Sequence, residues 1–286
     1  MMPMARPRIA ILTVLAMLAF AGNSLLCRLA LQSTRIDAAS FTTIRLASGA
    51  LLLSLLSRSR RSGRGPGGSW LSALALFCYA AGFSYAYRSL SAATGALLLF
   101  GAVQATMIGR DVWMGERLGS GQVLGILLAL GGLLSLLLPG LSAPSLSGSV
   151  LMLVAGIAWG IYSLRGRGTG NPIEVTAGNF LRAVPIAVAL TLLTLDRASL
   201  DTAGLLFAVG SGALASAAGY VIWYTVLPWY SASGAAVVQL SVPIIASLGG
   251  ILLLAESLTP RLVTASVAVL GGIALAIRAK ALAGTN

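Results

Sequence analysis

The sequence contains no histidine. That excludes imidazole acid–base catalysis, histidine metal ligation and histidine pH switching together. Cysteine is almost absent as well. Cys27 and Cys78 are the only two, both inside apolar runs, so they build neither a disulfide framework nor a thiolate metal site. Charge is the third scarcity: 9% of the 286 residues are charged, against about 25% in soluble domains. Asp and Glu number only 7, and none falls convincingly at the middle of an apolar run, which argues against a proton relay at membrane depth. A Gly-rich phosphate loop ending in Lys is also missing, so the chain does not read as an ATP hydrolase.

What remains is apolar. Hydrophobic residues make up 57% of the chain, too much for a surface facing water. About ten apolar segments follow one another with short breaks, centred near Phe20, Ala47, Tyr79, Phe100, Leu128, Ala155, Val184, Leu214, Ser241 and Ala268. Their length suits membrane helices, because lipid offers a backbone no hydrogen-bond partners. Barrel strands would be about half as long and would alternate apolar with polar residues. The run after Arg6 and Arg8 is too long for a signal peptide and reads as the first span.

The formal charge of +12 is spread as short basic clusters between spans, a pattern of cytoplasmic loops and not of nucleic-acid binding. With the amino terminus inside, Arg6, Arg8, Arg58, Arg60, Arg61, Arg64, Arg110, Arg117, Arg165, Arg167, Arg278 and Lys280 fall on the cytoplasmic side. Arg28, Arg35, Arg88, Arg197 and Arg261 fall outside. An even number of spans returns the carboxyl terminus to the cytoplasm.

The chain repeats itself. A shift of 140 places Ser91-Ala92 on Ser231-Ala232, Gly109 on Gly249, Glu116 on Glu256, Leu118 on Leu258 and Leu130-Gly131-Gly132 on Leu270-Gly271-Gly272. In a slightly different register Asp37 and Arg45 match Glu174 and Arg182, Ala19-Phe20 matches Ala158-Trp159, and Ser24 matches Ser163. The expected architecture is all-α: ten transmembrane helices as two five-helix repeats, residues 1–140 and 141–286. Five is odd, so the second repeat is inverted relative to the first. Inverted repeats place a solute site near the bilayer midplane between the halves.

These residues resemble the drug/metabolite transporter superfamily, in particular its ten-helix EamA-type members. The resemblance covers nearly the whole chain. It rests on Gly115-Glu116-Arg117-Leu118 followed by Gly131-Gly132, on Ala255-Glu256-Ser257-Leu258 followed by Gly271-Gly272, and on Arg45 and Arg182 in the second helix of each half. Within it, Phe20-Ala21-Gly22-Asn23-Ser24 and the aromatic third helix look most like the YddG-type bacterial exporters of aromatic amino acids. Two departures stand out: Ala255 replaces the Gly before the second Glu, and Val103 stands where the second half has Pro243. The resemblance implies a multi-pass transporter of the bacterial inner membrane, with a small-molecule substrate and no cofactor, and not an enzyme. Export of other metabolites or drugs on the same scaffold is the alternative; a channel, a receptor or an intramembrane enzyme fits less well.

Candidate substrate-binding residues are the aromatics near span centres, Phe20, Tyr79, Phe83, Phe100, Trp159 and Trp223, with the carboxamides Asn23, Gln104 and Gln239. Tyr79 and Phe83 are four apart and share a helix face. Rings from both halves would wall a cavity for a flat apolar solute, although ordinary packing uses the same residues. Carboxamides can meet an ammonium or a carboxylate, or can bond neighbouring helices. Arg45 and Arg182 lie within spans, where they either serve structure and gating or attract a substrate carboxylate. Glu116 and Glu256 read as structural residues at helix junctions, able to satisfy amides at a helix start. Pro185 and Pro243 read as bends for gating.

Overall fold

The computed structural model describes residues 5–58, 67–140, 143–166, 171–230 and 232–283. Among these, ten helices are long and apolar enough to cross a bilayer: α1 (Arg6–Ser33), α2 (Ala38–Ser57), α3 (Trp70–Tyr87), α4 (Ala92–Trp113), α5 (Ser120–Leu137), α6 (Leu146–Gly166), α7 (Ile173–Leu193), α8 (Thr202–Trp229), α9 (Ala235–Leu254) and α10 (Pro260–Leu282). Each of the ten expected span centres falls inside one of them. Arg60, Arg61, Arg64, Arg167 and the side chain of Arg58 lie outside the described residues.

The helix starts are written in the short links. Ser69, Ser91 and Asp201 accept from the amides of Ser72, Thr94 and Gly204 at 3.2 Å each, and Asn171 accepts from Ile173 at 3.1 Å. Each bond satisfies an amide that the first turn leaves free. The helices expose Ile11, Leu51, Leu127, Leu214 and Leu252. Outward leucines at this density would be untenable in water and are at home in lipid, as in a multi-pass membrane protein.

The most enclosed helix is α4, where every residue from Ala92 to Gln104 is buried. Around it, α3 and α4 pack on α6, while α8 and α9 pack on α1; α2 packs on α7 and α8, α3 on α7, and α5 on α10. Each of these pairings has its counterpart when α1–α5 are exchanged for α6–α10, a pattern compatible with duplicated halves. The α5–α10 contact depends on glycine. A Cβ on Gly272 would meet the Gly125 carbonyl at 2.5 Å, and one on Gly132 would meet the Ala268 Cβ at 2.8 Å. The preceding glycines, Gly131 and Gly271, have nothing within 4 Å, so only the second glycine of each pair carries the contact.

Two helices are irregular. In α8 a π-helical segment, Gly210–Ala218, separates two α-helical pieces. It lies against α2 so closely that a Cβ on Gly212 would collide with the Arg45 carbonyl and the Ser48 hydroxyl. The other irregularity interrupts α9 at Leu240. Pro243 has no N–H for the Gln239 carbonyl four residues back, and its ring crowds that carbonyl. Pro185 leaves α7 unbroken.

Candidate functional site

Six of the nine candidate lining residues meet around one small cavity: Phe20 and Asn23 from α1, Tyr79 and Phe83 from α3, Phe100 from α4 and Trp159 from α6. Ser24, Leu99, Ala215 and Tyr220 complete the wall. The enclosed volume of about 20 Å³ is room for about one water molecule.

The rings form a chain. Phe83 lies 5.4 Å from Tyr79, Tyr79 4.8 Å from Trp159, Trp159 4.9 Å from Tyr220 and Tyr220 5.9 Å from Phe20, all tilted or edge-on. Helical spacing explains the aim: Tyr79 and Phe83 are four apart on α3, and Phe20 and Asn23 are three apart on α1. Trp223 stands behind this ring, 6.2 Å from Phe20 and 6.4 Å from Tyr230. Gln104 is buried one turn beyond Phe100, and its Nε2 has no hydrogen-bond partner among the described residues. Gln239 is half-buried just before the Leu240 break and does not line the cavity.

Behind the rings runs a buried polar network. Arg45 Nη2 donates to the Tyr79 hydroxyl at 2.9 Å, and Arg45 Nε donates to Ser216 Oγ at 3.3 Å. Asn23 Nδ2 donates to the same Tyr79 hydroxyl at 3.1 Å, and Asn23 Oδ1 accepts from Ser211 Oγ at 2.6 Å. Both serines belong to the π-helical segment, so its wide turn supplies a polar face where a regular helix would present a different register. π-helical segments inside α-helices recur at functional sites.

Arg45 is 1% exposed, and no carboxylate lies within ion-pair distance among the described residues. Its guanidinium carbon instead lies 5.1 Å from the Tyr79 ring centre and 4.9 Å from that of Phe83. Ring quadrupoles offset part of the cost of holding a cation there. Its sequence counterpart Arg182 is placed differently. Arg182 Nη1 donates to the Gly67 and Gly178 carbonyls at 2.8 and 2.9 Å, tying α7 to the link before α3.

The two matched carboxylates also diverge. Glu256 accepts from Arg28 Nε at 3.0 Å and from the Ala92 amide at 2.8 Å, so the helix start it satisfies is that of α4. Glu116 binds Lys280 Nζ at 2.6 Å, which also reaches Asp111 at 2.8 Å. These contacts sort the charged residues into two ends. Lys280, Asp111 and Glu116 gather at one. At the other, Arg28 meets Glu256, and Arg261 donates to the Ser135 carbonyl at 2.9 Å and to the Leu138 carbonyl.

Tyr220 and the π-helical segment are the features that sequence reading missed. Under the repeat Tyr220 falls on Ala80, so the duplication does not flag it; its spacing of three from Trp223 is the only signal. The π-helical turn has no sequence mark beyond the small residues of Gly210-Ser211-Gly212.

Ten bilayer-length helices among the described residues, five of them lining a small aromatic cavity, define a polytopic membrane protein of carrier-like build. The chain belongs to the EamA-like transporter family, which matches residues 7–138 and again residues 146–278. An uncharacterized protein of Pseudomonas aeruginosa is 60% identical over 269 residues, 94% of each chain. An uncharacterized transporter of Archaeoglobus fulgidus is 31% identical over 175 residues, 58% of this chain and 61% of its own. A protein of known crystal structure shares the fold, with a TM-score of 0.68 over 97% of this chain and 99% of that one at 18% identity.

Proposed function

We propose that this transporter exports aromatic or other hydrophobic amino acids across the bacterial inner membrane by alternating access. In this reading residues 1–140 and 141–286 are two five-helix repeats of opposite insertion, and both chain termini are cytoplasmic. The observation that carries the substrate class is the unbroken chain of ring contacts from Phe83 to Phe20 around the cavity. An aromatic side chain entering there exchanges ring–ring contacts for equivalent ones, and its burial supplies the binding free energy.

A volume of about 20 Å³ is too small for an amino acid, so binding requires helices to part. The π-helical segment of α8 and the break at Leu240 in α9 are suitable places to bend, since both interrupt the regular hydrogen-bond ladder. Both lie in the second half; in the first, α3 and α4 run unbroken. The halves then deform unequally, as Val103 in place of a proline leads one to expect.

The test is uptake of labelled phenylalanine and tryptophan into liposomes holding the purified protein, with and without a pH gradient. Saturable uptake inhibited by other aromatic amino acids is the expected result. Uptake no greater than in empty liposomes, by folded protein, contradicts the substrate class and favours other metabolites. The gradient comparison reads the driving force.

A further inference from the structure

We propose that Arg45, Tyr79 and Tyr220 form an anion-recognising end of the cavity, taking the carboxylate of an aromatic solute, which then supplies the counter-charge Arg45 lacks. The proposal rests on the reading that this cavity is the transport site.

Each polar group left over here has a proton to donate, although the Tyr220 hydroxyl can also accept. Arg45 Nη1 and the Tyr220 hydroxyl are buried without a hydrogen-bond partner among the described residues. The Tyr79 hydroxyl accepts from both Arg45 and Asn23, which occupies its two lone pairs and leaves its own proton to be given away. A buried donor without an acceptor is costly, and a buried cation without an anion more so. Helix packing alone gives no reason to keep three such groups together. A ligand bringing a negative, multiply accepting group would satisfy all three, and a planar carboxylate matches the guanidinium edge.

The site discriminates by sign. Among the described residues no Asp or Glu lines the cavity, so an amine finds no counter-charge there and lies near a cation that repels it. Asn23 is held between Tyr79 and Ser211 and so positions the Tyr79 hydroxyl. The aromatic part of the solute would lie against Trp159 and Phe20, with the carboxylate toward α2.

The experiment follows thermal unfolding of the full-length protein in detergent with indole-3-acetate, tryptophan or tryptamine, since a ligand of the folded state raises the unfolding temperature by an amount that grows with the ratio of its concentration to its Kd. Both carboxylates are expected to stabilise at concentrations at least about tenfold below tryptamine. Tyr220→Phe should raise the concentration of either acid needed for a given shift about tenfold, and Arg45→Gln about a hundredfold, while the response to tryptamine stays or improves. If Arg45→Gln does not fold, the hydroxyl deletion decides. Stabilisation by indole-3-acetate but not by tryptophan supports the anion site and overturns the amino-acid reading. Tryptamine acting as well as the acids, or acids acting on Tyr220→Phe as on the unaltered protein, overturns the anion site and leaves the aromatic cavity standing. No response to any of the three overturns both.

Discussion

Arg28 on α1 donates from Nε to Glu256 at 3.0 Å, while the other oxygen of that carboxylate accepts the Ala92 amide at 2.8 Å. Arg28 Nη1 also donates to the Tyr87 carbonyl at 3.0 Å. One ion pair thus ties α1, the α3–α4 link and the α9–α10 link at a single end of the bundle. Its side chains are 11% and 12% exposed, against 38% for both Glu116 and Lys280 at the other end. Glu256→Gln is expected to lower stability by about 2 kcal/mol, and Glu116→Gln by about 0.5 kcal/mol. Thermal unfolding in detergent reads both; equal small effects would show that the enclosed pair is not a clip.

The residue before that carboxylate is under backbone strain. Ala255 has φ 52° and ψ 31°, the left-handed region, where Gly115 occupies φ 93° at the matched position. The turn aims Glu256 back at Arg28, and a side chain there is unfavourable. Ala255→Gly is expected to raise stability by about 1 kcal/mol with the ion pair intact. A fall in the unfolding temperature would contradict this account of the turn.

Paired glycines have unequal roles. Gly272→Ala would push α5 from α10 against the Gly125 carbonyl and should lower stability by about 2 kcal/mol. Gly271→Ala, with open space around it, should be neutral or slightly stabilising. The two variants unfolded side by side give the contrast directly.

Asp37 supplies a pH dependence. Burial disfavours its ionisation, but hydrogen bonds from Ser40, Ser199 and Ala39 outweigh that and hold the carboxyl below its ordinary value of 3.8. It thereby joins the start of α2 to the α7–α8 link. A depressed folded-state pKa means that its contribution is complete above the unfolded value and is lost as pH falls through the folded one. The stability difference between the protein and Asp37→Asn should therefore be constant near neutrality and shrink below about pH 4. A difference that grows on acidification would contradict the sign.

The spans were legible because lipid imposes a crude rule, about 20 apolar residues per helix. Trp159, Tyr79 and Phe20 were legible because large rings at span centres have few roles besides packing and lining. Arg45 and Arg182 show where such reading stops. They match in sequence, yet one binds the cavity residue Tyr79 and the other the Gly67 carbonyl, because position along a helix does not give its rotation toward neighbours. Tyr220 was missed because a π-helical turn changes that rotation, and hydrophobic periodicity carries no signal of it. The interruption of α9 was half legible: Pro243 announces a weak point, while Pro185, the same residue type inside α7, breaks nothing.

The central claim is that the ring-walled cavity moves aromatic amino acids. The most direct measurement is the initial rate of labelled tryptophan uptake into liposomes by the protein and by Trp159→Ala, each shown folded by its unfolding temperature. Trp159 touches both Tyr79 and Tyr220, so its removal opens the ring chain at the middle. The account predicts a loss of about tenfold or more in rate, with Asn23→Ala also reduced through the freed Tyr79 hydroxyl. Unchanged rates in both folded variants would contradict it.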